Sequence, residues 1–297
     1  MYNGCDSFDR AAGLLPAALR QRAMSLDRKE KAETEELRLR IGRPLALTLP
    51  DGEQTLPGTE VCGADLEEVV DAATEFSRYT AAESLRLGYL TAPRGVRIGV
   101  CGRITADGMT DFSSLSIRIP RPRYGVAAPI LPQLVEQGHL LSTLILSPPG
   151  GGKTTFLRDM VHILGDGSEA FPACRVSLVD ERGELAGIYR GKPHMDVGRQ
   201  TDVLSGVRKA QAVPMLLRAM NPQVIALDEV ALQEDIAAVL AAAGCGAALL
   251  ATMHASSVQE LLRREISRRL IESGVFRRAV VIGGRGYHRT YEVEELP

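Results

Sequence analysis

The sequence has few aromatic residues and little net charge. Among its 297 residues there is no Trp, aromatic residues make up 4%, and the formal net charge is −2. Proteins that bind nucleic acids usually present a basic surface, or aromatic side chains on which bases stack. We therefore expect no nucleic-acid partner for this chain.

Cysteine is also scarce. The five cysteines are Cys5, Cys62, Cys101, Cys174 and Cys245. No two of them form a Cys-x-x-Cys pair, which argues against a zinc site and a disulfide framework and favours a reducing cytoplasm. The first ten residues, MYNGCDSFDR, have neither a basic nor an apolar segment, so we expect no signal peptide.

One stretch is uncharged for long enough to raise the question of a membrane span. Residues 236–253, IAAVLAAAGCGAALLATM, reach the lower limit of spanning length. Gly244 and Gly246 interrupt this stretch, which predicts a buried helix, a break and a buried strand instead. We expect a soluble chain that can still dock at a membrane.

The apolar pattern changes along the chain. Residues 1–120 combine alternating strand patterns, as in ELRLRIGRPLALTL, with helical spacing over 64–87, which predicts a small α+β domain. Residues 121–126, rich in Pro and Gly, predict a linker. In residues 127–297, short apolar runs alternate with helical stretches and a hairpin closes the chain. That pattern predicts an α/β domain with a doubly wound, mostly parallel sheet.

A glycine-rich loop, SPPGGGKTT, links one of these strands to a helix. Strand, loop and helix in this order are typical of a P-loop, whose backbone N–H groups hold nucleotide phosphates. Lys153 would reach the β- and γ-phosphates, and the Thr154 hydroxyl would bind Mg²⁺. Ser147 stands where the motif usually has its first glycine. The alternative to a P-loop is a Gly-rich loop that binds no ligand. The predicted phosphate-binding residues are Ser147, Pro148, Pro149, Gly150, Gly151, Gly152, Lys153, Thr154 and Thr155.

A second apolar run, 224–227, ends in two acids. This is the Walker B pattern, in which Asp228 would hold Mg²⁺ through water and Glu229 would act as the general base. A solvated strand end is the alternative for this pattern taken alone. An adjacent Glu favours hydrolysis over a kinase or a GTP switch.

Two further strands end in polar residues. Residues 176–179 are followed by Asp-Glu-Arg-Gly-Glu, and crowded carboxylates are costly unless a cation or a partner lies near them. A charged surface loop is the alternative. The fourth run ends at His254, where an open α/β sheet places its ligand, so His254 would sense the γ-phosphate. A structural histidine is the alternative there.

These four strand ends, in this order, resemble the motifs of the secretion ATPases of pilus retraction and of type II and type IV secretion. More narrowly, VDERGELAG, GKPHMDVGRQTDVL, MLLRAMNPQVIALDEV and ATMHA resemble the stage III sporulation AA family, the ATPases of the channel between mother cell and forespore. The segments ELRLRIGRP, GVRIGVCGRIT and LSIRIPRP extend this resemblance over nearly the whole chain. Gln200 departs from it, standing where a basic residue is expected.

The resemblance implies a RecA-like P-loop NTPase domain and a homo-hexamer that holds ATP and Mg²⁺ between subunits. It also implies a cytoplasmic location on the mother-cell side, peripheral to a membrane complex of the sporulation channel. The catalytic candidates are Lys153, Glu181, Glu184, Arg118, Arg218, Glu229 and His254. Arg121 and Arg182 are further candidates for neutralising charge in the transition state.

Two other functions stay open at this stage. One is a RecA-like ATPase that depends on nucleic acid, which the low aromatic content and acidic balance disfavour. The other is a nucleotide-binding ring scaffold with little turnover, which the presence of Lys153, Asp228 and Glu229 disfavours.

Overall fold

The computed structural model describes residues 4–105, 108–120, 123–284 and 288–297. They divide into two compact units. The first unit comprises Met1–Pro122 and Gly187–His194, and the second comprises Arg123–Ala186 and Met195–Pro297. Gly187–His194 thus groups with the first unit although it lies within residues 127–297. Residues 121 and 122 of the predicted linker lie outside the described part of the chain. The first of them is Arg121, one of the candidates for neutralising charge in the transition state.

The first unit is a helical layer on an antiparallel sheet. Its helices are α1 (Gly4–Ala12), α2 (Ala17–Met24), α3 (Arg28–Glu33), α4 (Gly63–Ala73) and α5 (Ala82–Arg86), with short 3-10 helices at Arg78–Ala81 and Pro93–Gly95. Its strands are β1 (Glu36–Arg40), β2 (Pro44–Leu49), β3 (Gly52–Glu60), β4 (Tyr89–Ala92), β5 (Val96–Thr105) and β6 (Gly108–Arg118). They form one sheet in the order β3-β2-β1-β6-β5-β4.

The alternating run 36–49 forms two strands of this sheet. The chain turns between β1 and β2, and Gly42 there has φ +71°, a conformation that glycine adopts without steric cost. Alternate side chains of β1, Leu37 and Leu39, are fully buried. They pack in a core with α1 and α4, whose apolar residues recur at helical spacing.

The second unit has a central, mostly parallel sheet. Its strands are β7 (Val135–Glu136), β8 (His139–Leu140), β9 (Thr143–Ser147), β10 (Val176–Asp180), β11 (Thr201–Ser205), β12 (Val224–Leu227), β13 (Ala248–His254), β14 (Arg278–Gly283) and β15 (Thr290–Glu295). Its helices are α6 (Lys153–Asp166), α7 (Lys209–Met220), α8 (Gln233–Ala243), α9 (Val258–Leu262) and α10 (Glu265–Glu272), with a 3-10 helix at Leu131–Leu134. The main sheet runs β11-β10-β12-β13-β9-β14-β15, and β7 and β8 form a separate two-stranded sheet.

All neighbours in this main sheet are parallel except β14 and β15, which form the expected closing hairpin. Strands β9, β10 and β12 are buried along their whole length, as expected of parallel strands covered on both faces. In the register, His254 lies opposite Ser147, and Leu227 lies opposite Val179. The carboxyl ends of the four central strands therefore meet at one edge of the sheet.

The uncharged stretch 236–253 has the predicted division. It contains most of α8, a break at residues 244–247, and β13 through Met253. Gly246 in the break has φ +80°. Within the described ranges, the structure contains no helix with both the length and the apolar character that a membrane crossing requires.

Candidate active site

The glycine-rich loop joins β9 to α6 with two residues in left-handed conformations. Gly150 has φ +74° and Gly152 has φ +102°, and these values favour glycine. A Cβ at Gly151 would lie 2.3 Å from Oγ of Ser147, so that position also has no room for a side chain. The loop therefore needs its glycines where the sequence has them, just before the N-terminus of α6.

Ser147 is accommodated although the motif usually has glycine there. It is the last residue of β9, is fully buried, and its Oγ donates a hydrogen bond to the Pro148 carbonyl at 2.9 Å. Its side chain occupies the space beneath Gly151. Pro148, Pro149 and Gly150 are exposed, whereas Thr155 is half-buried in the first turn of α6.

Lys153 begins α6 and is only 6% exposed. Its Nζ donates to the Ser147 carbonyl at 2.9 Å and contacts Nδ1 of His254 at 2.9 Å. Burial lowers the pKa of Lys153, and the nearby Asp228 and Glu229 carboxylates partly oppose that shift. The loop thus holds a cation whose hydrogen bonds go to neutral groups, and phosphate oxygens are stronger acceptors for it.

Asp228 follows β12 directly and accepts hydrogen bonds from two hydroxyl groups. Thr154 Oγ1 lies 3.1 Å from its Oδ2, and Thr252 Oγ1 lies 2.6 Å from its Oδ1. The first bond joins the start of α6 to the end of β12, as a shared magnesium site requires. The second comes from β13, the neighbouring strand.

Glu229 is held in an unusual position beside Asp228. Its φ is +52°, which is costly for a residue with a side chain, and its N–H donates to Thr252 Oγ1 at 2.7 Å. Its carboxylate lies 3.1 Å from Nη1 of Arg182 and 3.5 Å from Nε2 of His254. Since the Lys153 ammonium can only donate to Nδ1, the neutral ring carries its proton on Nε2, facing Glu229.

Comparisons with known proteins show the family of this chain. Residues 9–291 match the model of the family described as Sporulation stage III, protein AA. The stage III sporulation protein AA of Bacillus subtilis (strain 168) is 34% identical over 272 residues, which cover 90% of this chain and 88% of that protein. The chain belongs to the sporulation stage III, protein AA family. The family resemblance read from the sequence is thereby confirmed.

Solved structures show the fold of this family member. The ATPase DotB of Legionella pneumophila has a TM-score of 0.59 at 17% identity, covering 90% of this chain and 78% of that one. The pilus retraction motor PilT with bound ADP has a TM-score of 0.62 at 15% identity, covering 89% and 80%. The predicted fold class, a RecA-like P-loop domain preceded by a small α+β domain, is confirmed.

In this member of the sporulation family, the acidic segment after β10 is stabilised by hydrogen bonds and an ion pair within the chain. Asp180 is 1% exposed, and its carboxylate accepts from the N–H groups of Leu185 at 3.0 Å and Ala186 at 2.8 Å. Arg158 donates to the Leu185 carbonyl at 2.7 Å. Burial lowers the pKa of Arg158, and the Asp180 carboxylate is the largest opposing influence. The crowding predicted from sequence is therefore relieved by backbone donors and buried cations.

Glu181 and Glu184 line a cleft with Arg182, Asp228 and Glu229. Lys209, at the start of α7, is 7% exposed, and its Nζ pairs with Glu181 at 2.6 Å. The sequence pattern assigns no role to Lys209 or to Thr252. Thr252 had a signal, because it lies two residues before His254 on the strand that pairs with β12.

Of the predicted arginines, Arg118 lies in the first unit, and Arg218 lies away from this cluster within the second unit. Arg118 belongs to the first unit, where its Nε lies 3.6 Å from a carboxylate oxygen of Glu36. Arg218 is exposed in the last turn of α7. Because α7 starts at the cleft and leads back to the beginning of β12, its last turn lies at the opposite edge of the sheet from Lys153.

The residues present suit a magnesium ion with a nucleotide. A hydroxyl and a carboxylate, from Thr154 and Asp228, lie side by side at the N-terminus of α6. Mg²⁺ is usually held by one or two such protein oxygens, with substrate phosphates and waters completing its shell. Both side chains are half-buried and so remain accessible to solvent and ligand.

Proposed function

We propose that this chain hydrolyses ATP and that hydrolysis powers assembly of, or transport through, a membrane-spanning channel during endospore formation. The observation that carries the proposal is the hydrogen bond of Thr154 to Asp228 at 3.1 Å, with Glu229 beside it. It joins the glycine-rich loop and the acidic strand end in one cluster. The family and the fold of the DotB ATPase and the PilT motor support it.

In the proposed reaction, the N–H groups of the loop and of the first turn of α6 bind the phosphate chain. The Lys153 ammonium exchanges its carbonyl acceptors for phosphate oxygens. Thr154 and Asp228 would hold Mg²⁺, which would neutralise the charge that develops on the phosphates. Glu229 orients the attacking water and accepts its proton, and His254 senses the γ-phosphate.

Assembly is part of the proposal. A homo-hexamer would place nucleotide between neighbouring subunits, and arginines such as Arg118 or Arg218 would then act on the nucleotide of a neighbour. The ring would act at the cytoplasmic, mother-cell face of a membrane complex. No nucleic acid takes part.

One observation favours a second candidate, a nucleotide-binding ring with little turnover. The carboxylate of Glu229 pairs with Arg182 at 3.1 Å, and a carboxylate held in an ion pair is not free to orient a water molecule. Hydrolysis then requires Arg182 to release Glu229, whereas binding does not.

The test compares three variants with the wild type for ATP hydrolysis and for binding of a fluorescent ATP analogue. We expect Lys153→Ala to abolish binding. We expect Glu229→Gln to bind normally and to hydrolyse roughly 100-fold or more slowly, since it lacks the base. Glu234→Gln, in an exposed position at the start of α8, is the control and should match the wild type.

Equal hydrolysis by wild type and Glu229→Gln contradicts the assignment of the base. Normal binding with no hydrolysis by the wild type supports the ring scaffold instead. Size measurements with and without ATP and Mg²⁺ test the ring itself. A monomer at high concentration under both conditions contradicts the hexamer.

A further inference from the structure

A cation from the C-terminal hairpin lies against the glycine-rich loop. Arg289 comes just before β15, and its Nη2 lies 3.4 Å from the carbonyl oxygen of Gly150. A Cβ built on Gly152 would lie 2.9 Å from Cζ and 3.1 Å from Nε of Arg289. The guanidinium therefore rests directly on the backbone that leads into α6.

Among the described residues, Arg289 has no ion pair like that of Arg278 on the same hairpin. On the same hairpin, Arg278 forms an ion pair with Glu295 at 2.9 Å. Across the described ranges, Arg289 has no carboxylate partner, and its buried Nε has no hydrogen-bond acceptor. A buried guanidinium N–H without an acceptor is costly, and an anion at the loop would relieve that cost.

The position of Arg289 is fixed by packing. Two residues later, Tyr291 stacks on Phe156 of α6, with ring centroids 5.3 Å apart and planes at 28°. Phe156 is 1% exposed, so this contact ties the hairpin to the helix that begins at Lys153. Arg289 is thereby held near the loop before any ligand arrives, which reduces the entropy lost on binding.

The order of the strands shows which part of a nucleotide Arg289 faces. Strand β9 lies between β13 and β14. The groups assigned to the γ-phosphate and to hydrolysis, Glu229 and His254, come from the β12 and β13 side of the loop. Arg289 comes from the β14 and β15 side. It therefore faces the part of the phosphate chain that lies away from the γ-phosphate.

We propose that Arg289 is a nucleotide-binding residue that contacts phosphate oxygens common to ADP and ATP. The inference rests on the proposed function, because it assigns a further contact to the same nucleotide site. On binding, the guanidinium exchanges the Gly150 carbonyl for phosphate oxygens, to which it donates charge-assisted hydrogen bonds. It acts in binding and takes no part in proton transfer.

The test measures dissociation constants of fluorescent ADP and ATP analogues on the full chain. We expect Arg289→Gln to weaken both by a similar factor, about 10- to 100-fold, as for the loss of a charged hydrogen bond. Arg289→Lys keeps the charge without the planar fork and should show a smaller loss for both nucleotides. Arg277→Ala, an exposed arginine just before the same hairpin, is the control and should bind normally.

Unchanged affinity in Arg289→Gln overturns the inference, as does a loss for ATP alone, which would assign Arg289 to the γ-phosphate. Tighter binding also overturns it, because Arg289 would then obstruct the loop. Thermal unfolding without nucleotide shows whether Arg289→Gln is folded. If it is not, the nucleotide affinities of Arg289→Lys test the inference. If the wild type binds neither nucleotide, the proposed function fails; if only Lys153→Ala loses binding, this inference alone fails.

Discussion

Two neighbouring strands of the parallel sheet end in nearly the same sequence and use it differently. Strand β10 with the next residue reads VSLVDE, and β12 with the next two reads VIALDE. Val179 and Leu227 are paired in the register, so Asp180 and Asp228 occupy equivalent positions. Yet Asp180 is 1% exposed and bonded to backbone N–H groups, whereas Asp228 is half-buried and bonded to hydroxyls.

The hydrogen-bond donors make the difference. Backbone N–H groups reach Asp180 because the chain after it folds back, and Arg158 binds the carbonyl groups of that same loop. Those donors cannot leave without unfolding the loop. The Thr154 hydroxyl at Asp228 can rotate toward a metal ion or water at little cost. We infer that Asp180 stabilises the fold and that Asp228 is free for chemistry.

The glutamates that follow differ in the same way. Glu181 pairs with the nearly buried Lys209 at 2.6 Å, a fixed contact within the cleft. Glu229 has φ +52° and lies between Arg182 and His254, with 37% of its side chain exposed. Backbone strain of this kind persists only where surrounding contacts enforce it. Here the contact is the N–H of Glu229 to Thr252.

The largest effect is expected at Asp228. Asp228→Asn removes the negative charge that would hold Mg²⁺, so ATP hydrolysis should fall roughly 100-fold or more. The free energy of unfolding should change little, because asparagine can still accept from one hydroxyl. Steady-state hydrolysis and urea unfolding measure the two effects. A variant that hydrolyses at the wild-type rate would show that Asp228, like Asp180, serves only the fold.

At Asp180 we expect a substitution to lower the free energy of unfolding and to leave nucleotide binding largely unchanged. Asp180→Asn places an amide NH₂ against a backbone N–H, which leaves a buried donor unpaired and costs about 1–3 kcal/mol of unfolding free energy. Urea unfolding measures that loss, with Asp202→Asn, exposed on β11, as the control. Nucleotide binding by the folded fraction should persist. A stable Asp180→Asn protein without hydrolysis would instead assign Asp180 to the chemistry.

The sequence predicts the fold well because its signals are local and strong. Fully apolar runs, glycine at the loop and polar residues after the strands locate β9, β10, β12 and β13 and the edge where they meet. The roles at that edge depend on contacts between segments far apart in the chain. Lys209 reaches Glu181 from the start of α7, and Arg289 reaches the loop from the last hairpin. Neither contact has a spacing that the sequence displays.

The smallest effect is expected at Thr252, which contacts both Asp228 and Glu229. Its hydroxyl donates to Asp228 and accepts from the N–H of Glu229, so it sets the position of both acids without contacting substrate in the proposed reaction. Thr252→Val keeps the shape and leaves that N–H unpaired. Hydrolysis should fall about tenfold with little change in nucleotide affinity, because geometry at the base is lost while the phosphate contacts remain.

The matched control is Thr143→Val at the start of β9, the end of that strand that lies away from Ser147 and the acids. Thr143 is also fully buried, but its Oγ1 donates to the Leu141 carbonyl at 2.8 Å, away from the acids. Both variants lose one buried hydroxyl, so both should lower the melting temperature by similar amounts. Only Thr252→Val should lower the hydrolysis rate per folded molecule. If the two variants hydrolyse equally, the position of Glu229 does not depend on Thr252, and the strained backbone at φ +52° is held by other contacts.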